Sequence, residues 1–248
     1  MENESDLAGP KHWDSRALRV SRRSPSRLNV TVADLTDLLS AHLRPGTSVL
    51  EVGCAPGKFL LWCALERQAK VSGVEYAPKS AEATRELFRD MQVPIDLRTE
   101  DFLQTSFPPG SFDLVFSFGV IEHFDDPRPI VRKHVEVLRP GGRAIITVPN
   151  YGGFYGTIQS KLDRSNLLLH NLDIMNHQSL SALAPADLSG EVRTYAWGRL
   201  TPWILSFDKR LPPALARSFA LGVNVLGLLQ PVMISKMAPW LVLEISRR

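Results

Sequence analysis

At 248 residues, with 44% hydrophobic and 22% charged residues, the chain is large enough for one α/β domain with a sizeable core and some embellishment. A formal charge of +3 without a dense basic stripe argues against a nucleic-acid partner, and Cys54 and Cys63 are too few for a disulfide framework or a zinc site. The acidic, polar start from Met1 to Asp6 does not read as a secretory signal, so a cytoplasmic protein is expected.

Residues 1–28 are polar and mixed in charge, with Arg16, Arg19, Arg22, Arg23 and Arg27 around Ser24-Pro25-Ser26, and read as a partly disordered arm. Residues 29–248 read as a single domain. Val32, Leu35, Leu38, Leu39 and Leu43 have helical spacing, which Pro45-Gly46 ends. Ser48 to Val52 is a buried-strand run, followed by a tight turn and a helix from Phe59 to Gln68. Gly53 and Gly57 bracket the turn, where a side chain would block a ligand from the backbone. The unpaired N–H groups at the helix start suit a carboxylate or phosphate. Glu51 is an odd residue for the end of a buried strand unless it faces a cleft. A nucleotide-type ligand loop is expected here.

Lys70 to Glu75 reads as a second strand. Glu75 lies about twenty residues past the glycine turn, where doubly wound folds place the carboxylate that meets ribose hydroxyls, and Tyr76 follows it. Lys79 to Met91 is a charged helix, Ile95 to Thr99 a third strand, and Glu100-Asp101-Phe102 comes next. The Pro108-Pro109-Gly110 turn announces a fourth strand, Phe112 to Ser117. Ile130 to Leu138 is helical, stopped by Pro140-Gly141-Gly142, and Arg143 to Val148 is a fifth strand. Beyond it, residues 151–178 are first glycine-rich and then polar. They read as an insertion on the substrate side, before a short helix from Gln178 to Leu183. Val192 to Trp197 and Leu241 to Ser246 complete the strands, with a second insertion at 202–239 between them. Its apolar stretch, Phe219 to Ile234, is shorter than the roughly 20 residues of a bilayer span and is interrupted by Asn224, Gln230 and Pro231. A helix capping an apolar pocket or a homodimer surface is expected at 212–236. Peripheral membrane contact is a further reading, since Lys209, Arg210, Arg217 and Lys236 flank it.

The spacing Glu51-x-Gly53-x-Ala55-x-Gly57 differs from the dinucleotide pattern G-x-G-x-x-G. It resembles motif I of the class I S-adenosylmethionine-dependent methyltransferases, acidic-x-Gly-x-Gly-x-Gly, with Ala55 at the middle glycine. The run from Phe118 through Glu122-His123-Phe124 to Pro127, and Leu138-Arg-Pro-Gly-Gly142, also resemble that family, so the likeness covers roughly residues 45–150. The resemblance implies a doubly wound, Rossmann-like α/β fold. Its sheet has seven strands, mostly parallel with one antiparallel edge strand, and helices on both faces. It also implies S-adenosylmethionine as cofactor. Glu51 and the loop Gly53, Cys54, Ala55 and Gly57 would hold its methionine end, and Glu75 its ribose. Tyr76, Asp101, Phe102 and Phe118 would surround the adenine end. N-terminal segments of the family often cover the site, which makes Trp13 and its neighbours a candidate lid.

The implied reaction is methyl transfer to a small organic, sugar or lipid-like acceptor, with oxygen preferred. A hydroxyl acceptor calls for a base tuned near neutral pH. His123 is the first candidate because it follows strand four on the ligand side. His170 and His177 come second, and Glu122 and Asp125 could orient the acceptor. No metal centre is expected, since Asp125 and Asp126 do not make a cluster, although Glu122 with His123 leaves one open. An NAD(P)-dependent oxidoreductase is the runner-up, disfavoured by the absent G-x-G-x-x-G and Tyr-x-x-x-Lys patterns. A nucleic-acid amino-methyltransferase would carry Asn- or Asp-Pro-Pro-aromatic where Ser117-Phe118-Gly119-Val120 stands. A non-catalytic binding or scaffold protein on the same fold stays open.

Overall fold

The structure, a computed structural model, describes Gly9 and residues 25–248. The expected arm with its Trp13 lid therefore falls mostly outside the described residues. Its end does not: Arg27 is ion-paired with Asp37 at 2.7 Å and bonded to Thr36 at 3.0 Å.

Seven strands make one sheet: β1 (Ser48–Val52), β2 (Lys70–Val74), β3 (Asp96–Arg98), β4 (Phe112–Phe118), β5 (Leu138–Pro149), β6 (Gly190–Trp197) and β7 (Trp240–Arg247). Their spatial order is β3-β2-β1-β4-β5-β7-β6. The first five run parallel, and β7 is antiparallel to both of its neighbours. The reversed strand thus sits one place in from the β6 edge. Central strands must be apolar on both faces, because helices cover a parallel sheet from both sides. Val49 and Leu50 of β1 and Leu114, Val115 and Phe116 of β4 are fully buried accordingly.

The crossover helices are α1 (Val30–Ser40) ahead of the sheet, α2 (Lys58–Arg67), α3 (Pro78–Asp90) and α4 (Arg128–Glu136). Asn29 caps α1, its side-chain oxygen accepting from the amides of Thr31 and Val32 at 3.0 and 3.2 Å. At the other end of α4 the sequence expectation needs correcting. The helix stops at Glu136, and Leu138-Arg-Pro-Gly-Gly142 already belongs to β5, as a bulge whose pairing jumps from Phe112–Leu138 to Leu114–Arg143. Gly142 is required there, because a Cβ would lie 2.9 Å from the Phe112 carbonyl oxygen.

The two expected insertions form one joined layer. The first holds α5 (Phe154–Leu162) and α6 (Arg164–Leu167), and α7 (His177–Ser181) follows it; the second holds α8 (Pro213–Leu229). Tyr151 Oη donates to the Ile204 carbonyl at 2.7 Å, and Tyr155 Oη accepts from the Thr201 amide at 2.9 Å. Gln159 closes the set on Ser206, donating to its hydroxyl and accepting from its amide.

Helix α8 is built inside out. Its polar residue Asn224 points inward, accepting from the Val30 amide at 2.9 Å and donating to the Leu28 carbonyl at 2.8 Å. Just past the helix, Gln230 accepts from the Leu200 amide at 3.0 Å. Gly227 packs against Leu200, whose carbonyl leaves no room for a Cβ. Leu215, Phe219, Leu221, Val225, Leu226 and Leu229 are exposed instead. Among the described residues, no helix is long and apolar enough to cross a membrane.

Candidate active site

The carboxyl ends of β1, β2 and β4 open into a cavity of about 530 Å³, roofed by the insertion layer through Tyr151, Asn166 and Trp203. Ligands in open α/β sheets bind at this edge, where the strand order reverses between β1 and β4.

One end of the cavity belongs to the strand tips. The loop after β1 is tied to β2 by the Gly53 and Cys54 amides, which donate to the Val74 carbonyl at 2.9 and 3.2 Å. Glu75, at the tip of β2, is buried beside the cavity. Its two oxygens accept from the Ala77 amide at 2.9 Å and the Ala55 amide at 3.3 Å, so the carboxylate is fixed by backbone on both sides. Asp101 caps the short helical turn Phe102–Gln104, accepting from the Leu103 amide at 2.9 Å. Phe102 stands edge-on to the His134 ring, with centroids 5.0 Å apart. His134 is fully buried, with Nδ1 on the Ile130 carbonyl at 2.7 Å and Nε2 on the Ser117 hydroxyl at 3.1 Å. Burial holds its pKa down at about 4, so the ring is neutral. Tyr76, Phe118, Gly53 and Ala55 complete this end.

At the other end lie Glu122, His123 and His170. His123 Nδ1 is 2.7 Å from the Leu169 carbonyl and His170 Nδ1 is 2.7 Å from the Asn166 carbonyl. A carbonyl only accepts, so each ring carries a proton on Nδ1. The two ring centroids are 4.7 Å apart. Glu122 is buried, and that burial pushes its pKa up to about 8. Asn171 clips the two segments together: its amide donates to the Glu122 carbonyl at 2.6 Å, and its side chain to the carbonyls of Phe124 and Asp125. Among the described residues lining the cavity, Glu75, Glu100, Asp101, Glu122 and Asp208 are acidic and none is Lys or Arg.

Comparison with known proteins agrees with this geometry. Residues 50–146, from β1 into β5, match the family model described as methyltransferase domain. Residues 50–146 resemble a methyltransferase domain.

Relatives of the methyltransferase domain include the ubiquinone biosynthesis O-methyltransferase of Xanthomonas campestris pv. campestris, 34% identical over 43% of this chain and 44% of that protein. The 27-O-demethylrifamycin SV methyltransferase of Amycolatopsis mediterranei is 28% identical over 53% of this chain and 47% of that protein. The chain thus spans about half the length of these curated relatives or less. A solved structure of Haemonchus contortus phosphoethanolamine N-methyltransferase 2, in complex with S-adenosylhomocysteine, shares the fold. It has a TM-score of 0.63 at 17% identity, over 96% of this chain and 58% of that one.

Within the methyltransferase domain, Gly53, Ala55, Glu75, Tyr76, Asp101, Phe102, Phe118 and His123 all line the cavity as the sequence suggested. Three residues of the motif do not. Glu51 is buried behind the cavity wall, and that burial, with Glu75 nearby, pushes its pKa well up. Cys54 is buried in the core, its Sγ packed where a Cβ on Gly73 would stand. Gly57 is needed for its φ of 80° and for packing, since a Cβ would lie 2.7 Å from Thr84 Cγ2. His177 is exposed and bonded to Thr194 Oγ1 at 3.3 Å, away from the cavity, and Asp125 is exposed too. Helix α8 contributes no cavity-lining residue, so the expected apolar cap is instead the segment Trp203 to Ser206 ahead of it. Tyr151, Asn166, Trp203 and Asp208 were not singled out from sequence. They come from the insertions, where no motif marks them.

Proposed function

We propose that the chain transfers a methyl group from S-adenosylmethionine to an oxygen of a small, uncharged organic acceptor. The observation that carries the reading is the charge of the cavity: beside Glu122, held protonated near neutral pH by burial, four further carboxyl residues line it and no described Lys or Arg does. Such a lining favours a ligand that is itself cationic and disfavours a pyrophosphate, which speaks against the nicotinamide alternative. S-adenosylmethionine, with its sulfonium and amino group, fits that lining and supplies an electrophilic methyl when bound. Glu75 would hold ribose hydroxyls, while Tyr76, Asp101 and Phe102 would hold the adenine. The loop at Gly53 and Ala55 would hold the methionine end.

The likeness to a ubiquinone biosynthesis O-methyltransferase and a 27-O-demethylrifamycin SV methyltransferase supports an oxygen acceptor here. His123, which lines the cavity and is oriented by its Nδ1 bond to the Leu169 carbonyl, would take the hydroxyl proton as the oxygen reacts. Tyr151 and Trp203 would shield the reacting atoms from water. Segment 212–236 is proposed as a contact surface, against a bilayer face or a second copy of the chain, on the strength of its exposed apolar residues and flanking cations.

Calorimetry with S-adenosylmethionine and with NAD tests the reading. Heat is expected with the first alone, weakened about 100-fold in Glu75→Ala, where carboxylate bonds worth about 3 kcal/mol are lost. Binding that NAD matches, or that Glu75→Ala leaves intact, overturns it. Binding without turnover on a panel of phenols, sugars and alcohols would favour the scaffold alternative.

A further inference from the structure

We propose that Glu122, His123 and His170 form a site for a divalent transition cation of the zinc class, held by one carboxylate and two imidazoles with its remaining position open to the cavity. One ligand atom from each residue lies within 4.8 Å of the other two. In a tetrahedral zinc site with bonds near 2.1 Å those atoms are about 3.4 Å apart. Binding would draw the three donors together by up to about 1.4 Å.

Two independent features make this a site rather than a coincidence of donors. Both histidines are oriented by the same device, an Nδ1 bond of 2.7 Å to a backbone carbonyl. That bond fixes the tautomer and turns Nε2 into the ligand atom, the arrangement that metal-bound histidines commonly show. Glu122 is the second feature. It is 1% exposed and lines the cavity, and its Oε2 has no hydrogen-bond partner. A carboxyl oxygen buried without a donor is unfavourable unless a cation supplies the missing charge. Asn171 holds the two ligand-bearing segments in register from outside, as a second shell does.

The chemical use of the ion rests on the methyl-transfer reading above. A hydroxyl of the acceptor would take the open position, where the ion would draw electron density from its oxygen. The O–H proton would pass to solvent water, and the oxygen's electron pair would form the new O–C bond to the methyl group as the sulfonium S–C bond breaks, its pair staying on sulfur. With the ion bound, His123 would act as a ligand in place of the base role proposed above. The acceptor class this favours is a neutral alcohol or phenol whose hydroxyl reaches the cavity end at His170.

The test uses the full chain, stripped of metal with a chelator and titrated with Co²⁺, whose visible absorption reports coordination by imidazole and carboxylate. One equivalent is expected to bind with a visible band in the wild type and in His177→Ala. The band should be lost, or the affinity weakened at least tenfold, in Glu122→Gln, His123→Ala and His170→Ala, with thermal melts of the metal-free proteins checking that each variant folds. His170→Asn replaces His170→Ala if the latter does not fold. No band in the wild type, or a full band in the His170 variant, overturns the site. Titration of the metal-free protein with S-adenosylmethionine keeps the two readings apart. A cobalt band without cofactor binding sinks the methyl-transfer reading and leaves the metal site standing; cofactor binding without a band does the reverse.

Discussion

His134 gives the most quantitative test of how the cavity wall at Phe102 is supported. Its ring faces the Ile130 carbonyl, the Ser117 hydroxyl and the edge of Phe102. Burial holds its pKa at about 4 against an ordinary 6.5. Between those values the unfolded chain binds a proton that the folded chain refuses. Stability therefore rises with pH across the window and is lost as pH falls through it. Each tenfold difference in proton affinity is worth about 1.4 kcal/mol, so the loss from pH 6.5 down to 4 amounts to about 3 kcal/mol. His134→Gln keeps a donor for Ile130 and an acceptor for Ser117 but does not titrate. Urea unfolding of both proteins at several pH values isolates the term, because Glu51 and Glu122 contribute equally to each. The wild type should lose stability relative to the variant by about 2–3 kcal/mol between pH 7 and 4.5. A difference that stays flat over that range would mean the ring is not held neutral by burial, and the account of this wall would fail.

Gly57→Ala should cost about 2–4 kcal/mol in urea unfolding, combining a left-handed backbone with a Cβ driven into Thr84 and Phe88. A cost below about 0.5 kcal/mol would show that the turn relaxes freely. Asn171→Ala should lower turnover at least about tenfold while moving the melting temperature little, since it loosens the placement of Glu122 and His123 rather than the core. Unchanged kcat would remove Asn171 from the positioning shell. Replacing exposed Leu221 and Leu226 by lysine should leave stability within about 0.5 kcal/mol. The same pair should abolish either sedimentation with vesicles or self-association in light scattering; persistence of both would leave α8 without a contact role.

The parallel half of the sheet was legible because its strands are short apolar runs closed by glycine and proline. Glu75 and Asp101 were legible because a strand tip at this edge has only one place to point. Glu51 was legible as an odd acid for a buried strand tip, but not that its side chain stays buried behind the cavity wall rather than lining it. His170 could not be paired with His123 from sequence, since an insertion with no periodic signal brings it back. In α8 the polar residues looked like interruptions of an apolar stretch. The structure shows Asn224 facing inward to the start of α1, a long-range bond that no local pattern announces.

The position of β7 has a consequence for how the molecule is made. Every ladder bond of β6 is to β7, and β7 also covers the outer side of β5. A nascent chain that has emerged only through β6 therefore holds two unzipped sheet margins at once, both waiting on the same late segment. Trimming residues 240–248 would not merely shorten the fold. It would strand the preceding edge and leave β5 a sticky template for neighbouring polypeptides.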